Sequence, residues 1–119
     1  MIVGSRYRSV RNRIIKRGLA DIDALVYDRP VTRATARLYV CAIMGPMFPL
    51  SFRRGMRSAG RGWSKGITLN LDLVGRNRLM LGTVIHECAH AIQSIRYRSG
   101  SRHDEGFTHT YIRLLKAIS

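Results

Sequence analysis

Acidic side chains are scarce in this sequence: seven Asp and Glu face 21 Lys and Arg in 119 residues, a formal net charge of +14. Between Asp28 and Asp72 there is none at all, while Arg29, Arg33, Arg37, Arg53, Arg54, Arg57, Arg61 and Lys65 all fall there. Arginine abundance on a solvated surface is one reading, but such surfaces usually mix signs, and the absence of acid here predicts attraction to polyanions. Eighteen of the basic residues are arginine, the side chain suited to bidentate phosphate contacts. Cysteine is sparse as well. Cys41 and Cys88 make no disulfide framework, which points to reduced thiols in a cytoplasm. Long apolar runs are missing too. Met1 to Ile15 is basic without a signal-peptide core, and nothing approaches the roughly 18 apolar residues of a membrane span. An intracellular, cytoplasmic protein with no membrane partner is expected. No repeat, low-complexity tract or linker divides the chain, so a single domain over 1–119 is expected.

What is present begins with a hydrophobic content of 45%, enough for one modest core. Val3, Tyr7, Val10 and Ile14 recur at helical steps, so a basic amphipathic helix is expected over 3–18, stopped at Gly18. Asp21 and Asp23 can cap a short helical piece, and Arg29-Pro30 marks a break. Arg37 to Met44 reads as a buried strand, interrupted by Gly45-Pro46 and Pro49, with a second strand near 50–57. Gly60 to Gly66 reads as turn-rich. Ile67 to Leu71 then alternates apolar and polar side chains, as a half-buried strand does. A long helix follows from Arg76 or Asn77 to about Tyr97 or Arg98. Its apolar surface of Leu79, Val84, Ile85, Cys88, Ala89, Ile92 and Ile95 is too wide for packing on one side only. Gly100 ends it. A last helix from about Asp104 to Ile118 carries Phe107, Tyr111, Leu114 and Leu115 on one stripe. An N-terminal helix, a small antiparallel or mixed sheet of about three strands and two further helices make the class α+β.

The chemistry lies in His86-Glu87-Cys88-Ala89-His90, an H-E-x-x-H pattern in the middle of the long helix. Residues i and i+4 share a helix face, so two imidazoles can meet one zinc ion at about 2.0–2.1 Å. Glu87, about 100° round the helix, reaches a water rather than the metal. Zinc lowers the pKa of such a water to about 7 and polarises a scissile carbonyl. Glu87 then serves as general base, and afterwards returns the proton to the leaving amine. Cys88, about 200° round the helix from His86, points the other way and reads as a small core residue.

A catalytic zinc needs a third protein ligand and an open position. The metzincin spacing is excluded, because Gln93 and Arg96 stand where its glycine and third histidine would be. Three candidates lie beyond Gly100: His103, Glu105 and His109. His103 begins the last helix, and the Ser99-Gly100-Ser101 turn can fold it back over the first two histidines. Glu105 and His109 form an i, i+4 pair on one face and stay open as alternatives.

From about Gly60 to Leu115 the sequence resembles the SprT-like zinc metallopeptidases, the zincin-like family that includes the Spartan protease. Gly60-Arg61 and Ile67-Thr68-Leu69-Asn70 match segments the family carries ahead of its zinc helix, and His86, Glu87 and His90 match its motif. His103 and Phe107 match a His-Gly-x-x-Phe segment whose histidine is the third zinc ligand, although Asp104 stands in place of the glycine. The resemblance implies His103 as that ligand, peptidase activity on a protein or peptide substrate, and degradation of proteins crosslinked to DNA. The charge points the same way, since phosphate contacts concentrate a protease near DNA with salt-sensitive affinity. Arg53, Arg54, Arg57, Arg61 and Lys65 are the candidate nucleic-acid contacts, and Trp63 with Tyr7 or Tyr39 can add base stacking on single strands. Two other readings stand beside this one. The first is a nucleic-acid-binding protein with a structural or relict zinc site. The second is a zinc amide hydrolase with a substrate unconnected to DNA, such as a phage-encoded protein released by lysis and acting on cell-wall peptide.

Overall fold

Residues 37–44, expected as a buried strand, are helical. The computed structural model describes Lys16, Asp21 and residues 29–71, 79–97 and 105–118. The expected helix over 3–18, the Asp23 cap, the Gly100 stop and His103 lie outside the described residues. A two-residue strand, β1 (Pro30–Val31), leads into α1 (Arg33–Met44). Thr32 starts α1 with extended backbone and a side-chain oxygen that accepts from the Thr35 N–H at 3.1 Å. Gly45 ends it at φ 96°, donating its N–H to the Cys41 carbonyl at 2.9 Å. That left-handed backbone suits glycine and few other residues. A short apolar run does not by itself distinguish strand from helix. Here the caps decide, and Ala36 and Val40, one turn apart, become the buried stripe.

Three strands form the main sheet: β2 (Leu50–Arg53), β3 (Gly60–Trp63) and β4 (Gly66–Asn70). Their spatial order is β2-β4-β3, with β2 parallel and β3 antiparallel to the central β4. The segment expected to be turn-rich is therefore a hairpin strand. Its turn is confined to Ser64 and Lys65. Strand alternation gives the sheet two unlike faces. Leu50, Phe52, Ile67 and Leu69 face the core, while Ser51, Arg53, Arg61, Trp63 and Thr68 face away, with the Ser51 and Thr68 hydroxyls 3.0 Å apart. Asn70, fully buried at the end of β4, donates from Nδ2 to the Met56 and Ser58 carbonyls at 3.3 and 2.8 Å. It thereby holds the loop that delivers the chain into β3.

The long helix, α2, runs Leu81–Tyr97 and starts later than the sequence predicts. Leu79–Met80 instead form strand β5, antiparallel to β1, and the Leu81 N–H donates to the Arg29 carbonyl at 2.7 Å. From Leu81 to Ala91 every residue of α2 is buried, as its wide apolar surface predicts. Its neighbours are β3 and β4, α1, and α3 (Glu105–Ile118). Only beyond Ala91 does the helix meet solvent, with Ile95 and Arg96 exposed. The last helix buries Phe107, Thr108, Tyr111, Ile112 and Leu115 as its inner stripe, and Thr110 Oγ1 donates to Gln93 Oε1 at 2.6 Å. Among the described residues, three long helices and a small mixed sheet make the fold α+β, with the core around α2.

Candidate metal centre

The sites of the two imidazoles follow from the position of α2 between the sheet and α3. His86 and His90, one turn apart, are 2% and 7% exposed, and Glu87 is 2% exposed. The imidazole centroids lie 4.9 Å apart, edge to face. Phe107 from α3 packs on both, at 4.8 Å from His86 and 4.4 Å from His90. Tyr111 meets His86 at 5.7 Å and donates its hydroxyl to the Gly82 carbonyl at 3.4 Å. The aromatic stripe of α3 thus fixes the ring pair from one side.

Glu87 turns towards the sheet, where two glycines make room for it. A β-carbon built on Gly60 would stand 2.9 Å from Glu87 Cγ and 3.2 Å from its Oε2. One built on Gly62 would collide with the Glu87 backbone carbonyl. Strand β3 therefore lies directly on the helix at its acidic residue, an approach that only glycines on its inner face permit. The Gly60-x-Gly62 alternation was the available sequence signal. Reading that stretch as a turn concealed it.

Cys88 is fully buried on another side of α2 and belongs to the core, as its spacing predicts. Burial, followed by the charge of Glu87, pushes its thiol up to about 12. Its place in the apolar core makes it a packing group.

Two imidazoles at this separation suit a tetrahedral ion. A separation of 4.9 Å would let ring nitrogens of His86 and His90 share one ion. Among the described residues no three His, Cys, Asp or Glu side chains come together. Glu105 and His109 are both exposed on α3, with His109 turned well away from the stripe that faces α2. Neither is brought to the His86–His90 pair. His103, the other candidate, lies outside the described residues.

The basic candidates are all exposed: Arg53 at the end of β2, Arg54 and Arg57 in the following loop, Arg61 on β3 and Lys65 in the hairpin turn. Arg61 stacks over the half-buried Trp63, its guanidinium carbon 5.1 Å from the ring. Among the described residues no helix is long and apolar enough to cross a membrane. Comparison of the chain with protein-family models, curated proteins and solved structures finds no match.

Proposed function

We propose that this chain is an intracellular zinc-dependent endopeptidase of SprT-like type, acting on proteins bound or crosslinked to DNA. The observation that carries the reading is the buried trio on α2: two imidazoles 4.9 Å apart, with Glu87 one residue on and held against β3. His86 and His90 would hold the ion through their ring nitrogens, and His103 is the proposed third ligand. Bound there, zinc supplies Lewis acidity towards water and the scissile carbonyl. Glu87 takes the proton from the attacking water and passes it to the leaving amine. Gly60 keeps the carboxylate in place by leaving it room, and Phe107 fixes the orientation of both rings. The exposed arginines supply attraction to DNA.

A second reading has an observation of its own. Histidines and a carboxylate this deeply buried also suit a structural zinc site in a nucleic-acid-binding protein. One experiment separates the two. Zinc content and cleavage of a protein substrate, with and without DNA, are measured for wild type and Glu87→Gln. The peptidase reading expects equal zinc in both and cleavage by wild type only. Zinc-loaded wild type that cuts neither free nor DNA-bound protein supports the structural reading. Cleavage of cell-wall peptide alone would point to the amide hydrolase.

A further inference from the structure

Strand β3 has a second face. Gly60 and Gly62 point into the core at Glu87, so Arg61 and Trp63 point out of it. Register then lays out the whole outer face. Arg61 stands opposite Thr68, which pairs with Ser51; Trp63 stands opposite Gly66, and Arg53 opposite Asn70. Gly66 brings no side chain to cover the indole. Ser51, Arg53 and Arg61 are exposed, and Trp63 is half-exposed.

The chemistry of this face is specific. The planar guanidinium of Arg61 lies over the Trp63 ring, its central carbon 5.1 Å from the ring centre, and the residue is exposed. Such a plane accepts an unpaired base by stacking, extending the column from indole to guanidinium to base. The exposed Ser51 hydroxyl beside it, 3.0 Å from that of the buried Thr68, can bond base edges or phosphate. Cations stand at both ends, Lys65 in the turn next to Trp63 and Arg53 at the far corner. From Trp63 to Arg53 the diagonal is about 16 Å by strand geometry. That span suits the lower end of the roughly 4–16 nucleotide sites of single-strand-binding sheets. No acidic residue occurs anywhere in 29–71 to oppose it.

We propose that the outer face of the β2-β4-β3 sheet is a binding site for single-stranded nucleic acid, with Arg61 stacked on Trp63 as the base platform and Arg53 and Lys65 as phosphate contacts. The site lies on the opposite side of the sheet from His86, Glu87 and His90 and does not depend on the zinc reading. A duplex, whose bases are already stacked, gains nothing from the platform.

Trp63 is the single tryptophan of the chain, so its fluorescence reports the platform directly. The test uses the full chain carrying Glu87→Gln, titrated with 20-mers of thymidine or uridine, the matching duplex, an acidic peptide, and anionic vesicles. Either single strand is expected to quench the fluorescence, with affinity falling as salt rises. The DNA and RNA arms show which sugar is preferred. Arg61→Ala is expected to weaken binding about tenfold, a typical size for losing one stacked base. Arg61→Lys, which keeps the charge but loses the plane, should lose nearly as much while keeping the salt dependence. Arg113→Ala, an exposed cation on α3, should change neither. The proposal is overturned if Arg61→Lys binds as wild type does, or if duplex, peptide or vesicles bind equally well with equal quenching. Zinc content, measured on the same samples, reports the metal site separately.

Discussion

Gly62 lies flat on the backbone of Glu87, so close that even a methyl group at position 62 would run into the Glu87 carbonyl. Gly60, two residues earlier on the same strand face, stands instead against the Glu87 side chain, at Cγ and Oε2. The two glycines thus meet different parts of one residue, and their alanine variants should differ. Gly62→Ala must push strand from helix and should cost roughly 1–3 kcal/mol or more, read as a lower midpoint of denaturant unfolding. Gly60→Ala presses on that side chain and, at 3.0 Å, on the Thr68 carbonyl, so it should cost some stability, less than Gly62→Ala, and reduce kcat besides. Equal stability losses without a difference in kcat would contradict this division.

The roles on α2 separate in the same way. Glu87→Gln should keep zinc and lose cleavage by about 10²–10⁴-fold, the usual contribution of a general base. His86→Ala or His90→Ala should lose the metal itself, measured by mass spectrometry of the purified protein. Retention of stoichiometric zinc by the His90 variant would sink the proposed ligand set.

Phe107 packs on both imidazoles and is fully buried. Phe107→Ala should cost roughly 3–5 kcal/mol as a core cavity. Phe107→Leu, a gentler change, is expected to fold and yet weaken zinc binding, by up to the 10–100-fold typical of residues that orient ligands. Unchanged zinc affinity in the leucine variant would show that the rings are oriented from elsewhere.

Burial and the charge of Glu87 hold the Cys88 thiol up at about 12, well above its ordinary value of 9.0. In the folded protein it therefore stays protonated throughout the neutral range. A thiol reagent at pH 8 should label Cys41, which is half-buried, and leave Cys88 untouched until the protein unfolds. The raised value favours the folded state fully below pH 9 and less as pH climbs towards 12, because only the unfolded chain releases the proton in that interval. Two thiols labelled at equal rates in the native protein would contradict the burial of Cys88.

Thr32 caps α1 through a single side-chain bond to the Thr35 N–H. Thr32→Ala should therefore cost about 1 kcal/mol, seen as a drop of about 4–8 °C in Tm for a domain near this size. Thr32→Ser, which keeps the oxygen, should recover most of it.

Much of this protein was legible as a string of residues. The spacing of His86 and His90, the wide apolar surface of α2 and the stripe on α3 all depend on one helical period, and local geometry alone sets that period. The strand from Ile67 announced itself by alternation. The scarcity of acid in 29–71 was countable before any fold was known. Tertiary structure decided the rest. Residues 37–44 became a helix because Thr32 and Gly45 cap it and its Ala36–Val40 stripe found α2, a choice that a short apolar run leaves open. Gly60 to Trp63 became a strand because β4 pairs with it and α2 needs a neighbour without side chains at Glu87. Pairings between distant segments leave no local periodicity to read. That is why the sequence named the histidine pair and Glu87, whereas only the fold revealed the glycine cradle behind Glu87 and gathered Arg61, Trp63 and Arg53 on one face.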